Sequence, residues 1–296
     1  MSEELRTVVG ERRRLVALAY RMLGTMAEAE DAVQETYTRW YRLSEEERDA
    51  VANVPGWLTR VASNVCLDVL KSARLRREQY VGPWLPEPLP AAARGLAGAT
   101  GSADPADRIT LDESVSTALL VVLDAMTPAE RVAFVLHDVF EVPFPDVAEV
   151  VGRSPAAVRQ LATSARRRVQ AAREGAAPTA EHAAVVRAFL AACEGGELGA
   201  LMEVLAPTVE LRSDGGGVVR AARNPIVGAS KVARFLLGVI EKQATWRLGL
   251  TETGDGLAVA FLDGERVAGV VNVRVEDARV RDVWIVLNPE KLTRWA

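Results

Sequence analysis

Apolar and polar positions in residues 1–78 alternate with the period of an α-helix. Residues 5–23 and 27–42 each show an amphipathic pattern, and a third helix is predicted to begin at Pro55, because proline suits the first turn of a helix. The second pattern predicts one core-facing stripe of large side chains at helical spacing, formed by Val33, Tyr37, Trp40 and Tyr41. We therefore expect an all-α domain over residues 1–79.

The helical pattern stops near residue 81 and resumes near residue 109. The sequence between, GPWLPEPLPAAARGLAGATGSADP, is rich in proline, glycine and alanine and almost uncharged. It is longer than the roughly 12–15 residues of most loops inside a domain. We therefore expect a linker over residues 80–108 that separates two folding units, with a second all-α domain over residues 109–174.

The last third of the chain changes from a helical to a strand-like pattern. After a second break at residues 175–179, two helical patterns lead into segments in which apolar residues alternate, at residues 246–250, 267–275 and 283–287. This alternation predicts an α+β domain over residues 180–296. A multidomain chain agrees with the length of 296 residues, which is more than one compact core usually needs.

The helix predicted after Pro55 has an apolar side and a basic side. The apolar side is formed by Leu58, Val61, Val65 and Val69. The opposite side is formed by Arg60, Asn64, Leu67, Lys71 and Arg74, and Arg76 and Arg77 extend its charge. Cations near the end of a helix are also favoured by the helix dipole, so a solvated face and a nucleic-acid contact both remain open.

Residues 145–173 have the pattern of a helix-turn-helix. A short helix ends at Val151, Gly152 suits a tight turn, and Ser154 caps a second helix that starts with Pro155. In this motif the second helix enters the major groove of DNA. Its predicted inward stripe is Val158, Leu161, Ala165 and Val169, and the predicted outward stripe is Ala156, Gln160, Thr163 and Arg167, flanked by Arg159 and Arg166.

Positive charge is concentrated on this second helix. Residues 153–173 contain six arginines and no acid, although the chain has a formal net charge of −4. Arginine can bind phosphates or pair with guanine, and Gln160 can pair with adenine. A solvated arginine-rich helix is the alternative. The overall charge excludes a protein that coats nucleic acid or anionic membranes by bulk charge, so any DNA binding must be local.

Other features narrow the class of protein. Cys66 and Cys193 belong to no cysteine or histidine cluster, so neither a disulfide framework nor a metal site is expected. No apolar run approaches the roughly 20 residues that span a bilayer, and the N-terminus lacks the apolar core of a signal peptide. We expect a cytoplasmic protein with no membrane partner.

Two blocks together resemble a bacterial sigma factor of the extracytoplasmic-function (ECF) group. LVALAYRMLGTMAEAEDAVQETYTRWYR with VPGWLTRVASNVCLDVLKSARLRRE is similar to sigma region 2, and LDAMTPAERVAFVLHDVFEVPFPDVAEVVGRSPAAVRQLATSARRRV is similar to sigma region 4. The segments YVGPWLPEPL, SDGGG and LNPEKL resemble the subgroup with a C-terminal SnoaL-like domain, a cone of the NTF2-like fold. That subgroup usually has lysine after the glycines, where this chain has Val218.

The resemblance implies binding to core RNA polymerase, through its beta and beta-prime subunits, and recognition of promoter DNA. The implied polymerase surface is acidic and consists of Glu28, Asp31, Gln34 and Glu35. The implied −10 contacts are Trp57, Arg60, Asn64, Lys71, Arg74, Arg76 and Arg77, which offer cations and a ring to single-stranded DNA. The implied −35 contacts are Arg153, Ser154, Ala156, Arg159, Gln160, Thr163, Arg166 and Arg167. By the same resemblance, the linker threads a channel of the polymerase.

The resemblance also implies that the C-terminal domain regulates the sigma regions in cis. Its glycine motif (Asp214, Gly215, Gly216 and Gly217) and its last segment (Asn288, Pro289 and Leu292) are expected beside Trp84, Leu85 and Pro86 of the linker. Exposed apolar side chains in the linker would be costly, and a docked domain could cover them. The glycine motif could also be no more than a turn that requires positive φ.

We expect neither catalysis nor a cofactor. The strand region of the tail contains no histidine, because His137 lies in the helical block and His182 precedes the first tail helix. The aspartates of the tail (Asp214, Asp255, Asp263 and Asp282) are expected to be solvated carboxylates in turns or at strand edges. Two alternatives remain: a tail that binds a ligand or another protein or acts as an enzyme, and a helix-turn-helix regulator that works without polymerase.

Overall fold

The computed structural model describes residues 3–77, 80–93, 116–243 and 245–295. The chain divides into two compact units, residues 1–78 with 94–172 and residues 79–93 with 173–296. Both predicted helical domains thus belong to one unit, and the first half of the predicted linker belongs to the unit of the C-terminal domain. The domain boundaries at 1–79, 80–108, 109–174 and 180–296 stay a prediction.

The first unit is helical throughout its described part. Its first helices are α1 (Glu3–Gly10), α2 (Arg12–Leu23), α3 (Met26–Arg42), α4 (Glu45–Asp49) and α5 (Val54–Arg77). After the undescribed residues 94–115 come α6 (Thr117–Asp124), α7 (Pro128–Phe134), a π-helical turn (Val135–Val139), α8 (Phe144–Val151) and α9 (Pro155–Arg173).

Helices α2, α3 and α5 pack together because each presents an apolar face. On α3, Val33 and Trp40 are buried and Tyr37 is half-buried, as predicted, but Tyr41 is exposed over 51% of its surface. Tyr41 was wrongly placed in the core stripe. The small residues Ala29, Ala32 and Thr36, which share a face with Val33 and Trp40, complete the buried surface instead.

Helix α5 is rotated relative to the predicted faces. Leu58 and Val65 are buried as expected, but Val61 and Val69 are only half-buried. Leu67, predicted on the polar side, is 5% exposed. Buried Ala62, Ser63, Cys66 and Leu70 explain the difference, because small residues and a serine that donates to the Thr59 carbonyl widen the core face of this helix.

The second unit has the predicted α+β architecture. Its helices are α10 (Thr179–Gly195), α11 (Leu198–Val204) and α12 (Ala229–Lys242), and its strands are β1 (Leu205–Asp214), β2 (Ile226–Val227), β3 (Trp246–Thr253), β4 (Gly256–Asp263), β5 (Arg266–Glu276) and β6 (Arg279–Val286). The six-stranded sheet has the order β2-β1-β6-β5-β4-β3, with β1 and β6 parallel and the other pairs antiparallel.

Both faces of this sheet are apolar. One face, with Val259, Val271 and Ile285, forms a single core cluster with residues of α10, α11 and α12. The alternate residues on β4, β5 and β6, such as Ala260 and Val270, are also buried. The two helical regions, followed by helices on one face of a mixed sheet, confirm the predicted class of a multidomain chain with all-α regions and a C-terminal α+β domain.

Candidate nucleic-acid interfaces and the linker site

Helices α8 and α9 form the predicted helix-turn-helix. Gly152 ends α8 with φ +69°, and its N–H donates to the Ala148 carbonyl at 2.9 Å. Ser154 Oγ then accepts from the Ala157 N–H at 3.3 Å, which caps α9 as expected. A side chain at position 152 would be strained in this left-handed conformation, so glycine sets the angle between the two helices.

The buried side of α9 consists of small residues, and its other side is open. Val158, Ala165 and Val169 are buried as predicted, Ala162 joins them, and Leu161 is only half-buried. All predicted −35 residues are exposed, namely Arg153, Ser154, Ala156, Arg159, Gln160, Thr163, Arg166 and Arg167. The structure therefore brings them together on one accessible surface, while their role in DNA binding stays a prediction.

Several side chains on this surface are held by local contacts. The Arg159 guanidinium lies over the Phe144 ring, 5.3 Å from its centroid, and Arg166 pairs with Asp138. The Thr163 hydroxyl donates to the Arg159 carbonyl at 2.8 Å. A shallow groove of about 350 Å³ is lined by Arg159, Gln160, Thr163, Ser164 and Arg167.

The predicted −10 residues that can be placed lie along α5. Trp57 is half-buried with its ring edge-on to Trp40 (centroids 5.1 Å apart), and Arg60 is exposed. Asn64 is half-buried, and exposed Lys71 lies 3.6 Å from the Asp68 carboxylate. The side chains of Arg74, Arg76 and Arg77 lie outside the described residues, although α5 extends to Arg77.

Helix α5 packs against α7 and α8, and polar contacts also join the α1–α5 part of the first unit to its α6–α9 part. Arg60 Nη1 lies 2.7 Å from Glu149 Oε2 on α8, and both side chains are more than half exposed. Buried Arg131 donates from Nη1 to the Met22 carbonyl at 2.8 Å and from Nη2 to Asp124 at 2.9 Å. Burial lowers the pKa of Arg131 to about 10, although the charge of nearby Glu28 acts in the opposite direction.

An open cavity lies beside these contacts. Its volume is about 720 Å³, and Trp57 and Arg60 line one side while Phe140, Asp146 and Glu149 line the other. The region therefore packs less tightly than a protein core, which has few voids larger than a water molecule. The contacts of Arg131 and Glu149 were not predicted from the sequence, because no local pattern distinguishes these residues from other charged helix residues.

The predicted polymerase surface lies on the outer side of α3. Asp31 and Gln34 are exposed, and half-buried Glu35 pairs with Arg39 at 2.9 Å. Half-buried Glu28 accepts a hydrogen bond from the hydroxyl of the helix cap Thr25 at 3.0 Å. Spacings of three and four residues place this set along one face of the helix.

In the second unit, Asp214 at the end of β1 binds the linker. Its Oδ2 accepts from the Leu85 N–H at 2.9 Å and from Lys291 Nζ at 2.7 Å. Its Oδ1 accepts from the Tyr80 hydroxyl at 2.5 Å and from the Gly216 N–H at 3.0 Å. We call these five residues the linker site. Asp214 is completely buried, so its prediction as a solvated turn residue was wrong.

Lys291 and the last residues of the chain add contacts to the same segment. Lys291 Nζ also donates to the Leu85 carbonyl and lies 4.1 Å from the centroid of the Trp84 ring. Trp295 Nε1 donates to the Pro88 carbonyl at 2.8 Å. Leu85 and Pro86 are buried and Trp84 is half-buried, so this part of the linker is covered within the second unit.

Tyr80 completes the site from the linker side. Asn288 Nδ2 donates to its hydroxyl oxygen at 3.2 Å. Burial, and then the hydrogen bond to the Asp214 carboxylate, raise the pKa of Tyr80, because both disfavour a phenolate; the Asn288 bond opposes them. The phenol therefore remains a hydrogen-bond donor to Asp214 at neutral pH. Nearby, Pro289 begins a short 3₁₀ turn and Leu292 is buried.

The glycine motif is required by close packing as well as by its backbone angles. A Cβ at Gly216 would lie 2.4 Å from Asn288 Cγ, and one at Gly215 would lie 2.0 Å from the Val219 carbonyl oxygen. Gly216 and Gly217 have φ of +65° and +74°. Val218 is 74% exposed, so a lysine at this position would also reach solvent.

His182 and Asp282 of the tail both have structural partners. His182 lies inside α10 rather than before it, which corrects the prediction, and its Nε2 is 3.1 Å from the Val273 carbonyl on β5. Asp282 lies within β6 and pairs with Arg274 at 2.6 Å, so its prediction as a solvated carboxylate was wrong. Asp255 is half-buried in the turn after β3, and Asp263 is exposed at the end of β4, as expected.

Among the residues that the structure describes, no group of three or more histidine, cysteine, aspartate or glutamate side chains could hold a metal ion. Over the same ranges, none of the helices is long and apolar enough to cross a membrane. Cys66 and Cys193 are both buried free thiols, and burial raises the pKa of each.

Comparison with known proteins gives matches to both helical regions and to the whole chain. The family models Sigma-70 region 2 and Sigma-70, region 4 match residues 8–76 and 116–169. ECF RNA polymerase sigma factor SigJ of Mycobacterium tuberculosis is 38% identical over 294 residues, which cover 95% of this chain and 91% of SigJ. The "Probable ECF RNA polymerase sigma factor SigI" of the same species is 38% identical over 280 residues, 94% of this chain and 91% of that protein.

A solved structure agrees with this result over both units. The crystal structure of the M. tuberculosis extracytoplasmic function sigma factor SigJ matches with a TM-score of 0.71 and 34% identity, over 98% of each chain. A regulator with only a helix-turn-helix would not account for the region 2 match at residues 8–76. The paired helical regions and the full-length similarity show that this chain belongs to the ECF sigma factors of RNA polymerase.

Proposed function

We propose that this sigma factor uses α9 to bind the −35 element, α5 to bind the −10 element, and the acidic face of α3 to bind the beta and beta-prime subunits of core polymerase. The exposed cations of α9 and the row of Trp57, Arg60, Asn64 and Lys71 on α5 support these assignments. The cytoplasm is the proposed compartment, because transcription takes place there.

We further propose that the first unit must open before both promoter elements are bound. The elements lie about 25 base pairs apart, which corresponds to roughly 85 Å along B-DNA. Helix α9 is only about 28 Å long at 1.5 Å per residue, and it directly follows α8, which contacts Arg60 of α5. Helices this close together do not reach both elements at once, and the Arg60–Glu149 contact engages a proposed −10 residue.

The C-terminal domain, in our proposal, inhibits opening by holding the linker. The observation that carries this proposal is the linker site, in which Asp214 and Lys291 bind both the N–H and the carbonyl of Leu85. A linker segment buried in this way is not available to a polymerase channel, so the two states exclude each other. Polymerase then acts by selecting the released state.

The same observation supports a non-catalytic tail. A general base must reach a substrate proton, but Asp214 uses both of its carboxylate oxygens on the linker, the glycine motif and Lys291. Asp282 is paired with Arg274. We propose that the domain is regulatory and uses no cofactor.

Run-off transcription with core polymerase tests the proposed inhibition. We expect Asp214→Ala and Lys291→Met in the full chain to increase run-off product and polymerase affinity, because both variants weaken the linker site. A truncation to residues 1–178 should do the same.

Asp282→Asn provides the matched control, because it breaks a partly buried ion pair of the same domain that does not involve the linker. If the linker-site variants transcribe no better than the wild type or the control, the inhibitory role is wrong.

A further inference from the structure

Glu130 is a buried acidic residue that contacts α9. It lies in α7, where Thr127 and Glu130 form a capping box at the start of the helix. Glu130 Oε2 accepts from the Thr127 N–H at 3.0 Å and from the Thr127 hydroxyl at 2.8 Å. These bonds satisfy groups at the N-terminus of α7 alone, as in any capping box.

The second carboxylate oxygen of Glu130 contacts a different helix. Oε1 accepts from the Ser164 hydroxyl at 2.9 Å and lies 3.7 Å from Arg168 Nη2, both on α9. Arg168 also donates to the Ala125 carbonyl at 3.3 Å, at the end of α6. One turn of α9 is thereby bonded to the start of α7 and the end of α6.

A second capping box in the same chain shows that this arrangement is more than a helix cap. Ser44 and Glu47 form the same motif at the start of α4, with Glu47 accepting from the Ser44 N–H at 2.7 Å. Glu47 is exposed, whereas only 7% of the Glu130 surface is exposed. Burying a carboxylate is costly unless it is fully hydrogen-bonded, and the extra partners of Glu130 are on α9.

The ionisation of Glu130 agrees with this geometry. Burial by itself raises its pKa, but the hydrogen bonds from Thr127 and Ser164 and the charge of Arg168 outweigh burial and lower it. Glu130 is therefore a carboxylate that accepts hydrogen bonds at neutral pH. The Ser164 hydroxyl therefore donates its hydrogen to Glu130.

The apolar side of α9 does not by itself fix the rotation of this helix about its axis. The buried residues are Val158, Ala162, Ala165 and Val169, whose short side chains interlock less with neighbouring helices than long ones would. Ser164 lines the same groove as Gln160 and Thr163, so its bond to Glu130 lies at the base of the DNA-facing surface. A rotation of about 10° moves an atom about 6 Å from the helix axis by about 1 Å, which is enough to break a hydrogen bond.

We propose that Glu130 is a positioning residue for −35 recognition, which sets the rotation of α9 through Ser164 and Arg168 without contacting DNA. The inference rests on the proposed binding of α9 to the −35 element. Loss of the Ser164 bond then affects which −35 sequences are used more than it affects the stability of the fold.

The test compares Ser164→Thr with Ser164→Val in the full chain. The two side chains have nearly the same shape, but only threonine keeps the hydroxyl for Glu130. Polymerase holoenzyme is assayed on promoters that carry each single substitution in the −35 element. One good base contact discriminates by about fivefold to a hundredfold. We expect Ser164→Val and Glu130→Gln to reduce discrimination about threefold or more, and Ser164→Thr to retain it.

Two controls separate positioning from stability and from the proposed function. Thr127→Ala weakens the cap of α7 but leaves the Glu130–Ser164 bond, so we expect a lower melting temperature with unchanged discrimination. Gln160→Ala and Arg159→Ala should alter discrimination directly.

Suppose that Ser164→Val and Ser164→Thr discriminate equally between −35 sequences, while Gln160→Ala and Arg159→Ala differ from the wild type. The role of Glu130 is then overturned, and −35 binding by α9 stands. If none of these variants alters discrimination, both inferences are overturned. The Ser164 pair remains decisive even where Glu130→Gln fails to fold.

Discussion

Two of the ion pairs that join distant segments of the sequence, one in each unit, have opposite environments. Arg60 and Glu149 connect α5 and α8 with 51% and 61% of their side chains exposed. Lys291 and Asp214 connect the 3₁₀ turn Pro289–Lys291 to β1, and 6% and 0% of their side chains are exposed. Each pair has an N–O distance of 2.7 Å, so the distance alone does not distinguish them.

Their surroundings decide what each pair contributes. An exposed pair adds little to stability, because water and salt screen it and two long side chains must be ordered. A buried pair adds little net stability against an apolar replacement, but the loss of one partner leaves a charge without compensation. The exposed pair is therefore suited to a contact that opens, and the buried pair to one that defines where the linker docks.

The largest expected effect comes from removing the charge of Lys291. Lys291→Met should destabilise the second unit by about 3–5 kcal/mol, because Asp214 stays buried without its cation. Urea denaturation followed by tryptophan fluorescence measures the change. Combining Lys291→Met with Asp214→Asn should recover part of the loss, since the amide carries no charge. A loss below about 1 kcal/mol for Lys291→Met would contradict this prediction, because it would show that water screens the charge of Asp214.

A smaller effect is expected from Tyr80→Phe. The variant removes the hydroxyl that donates to Asp214 and accepts from Asn288, while the ring is kept. A hydrogen bond to a charged group is worth about 1.5–3 kcal/mol, so unfolding of the second unit should become easier by that amount. A change as large as that of Lys291→Met would contradict the importance given to the ion pair.

The smallest effect is expected at the exposed pair. Glu149→Gln should change the free energy of unfolding by less than about 1 kcal/mol, and raised salt should remove the difference from the wild type. Since the contact holds the proposed closed state, polymerase affinity should rise by no more than about fivefold. A double-mutant cycle with Arg60→Gln measures the coupling, and a value above about 2 kcal/mol would contradict a separable contact.

The helix-turn-helix and the linker site differ in how far they could be predicted from the sequence. The helix-turn-helix follows from local pattern, because Gly152, Ser154 and Pro155 act within their own turn and cap. The α+β class follows from alternation in β5 and β6. Tyr41 and Leu67 were assigned to the wrong side of their helices, because an ideal helical wheel ignores how small and polar residues widen a packed face.

The partners of Asp214 illustrate what local pattern omits. Glycines beside an aspartate indicate a solvated turn. Asp214 is nevertheless buried, because Leu85 of the linker and Lys291 pack against it. For Glu130, the capping box with Thr127 could be found from residues three apart, but the bond to Ser164 spans 34 residues. Arg131 and its bond to the Met22 carbonyl had no signal in the sequence at all.

The helical character of the first unit, strands β3, β5 and β6, the turn and cap of the helix-turn-helix, the concentration of arginine on α9 and the family of the chain all follow from the sequence. These depend on interactions within a few residues, or on residue types that can be compared directly. Only the tertiary structure decided which charges are buried, that the linker packs in the unit of the C-terminal domain, and that Glu130 bonds to α9. The burial and pairing of charged side chains depend on which distant segments of the chain are in contact. The strength of an ion pair then depends on its dielectric surroundings and not on residue type.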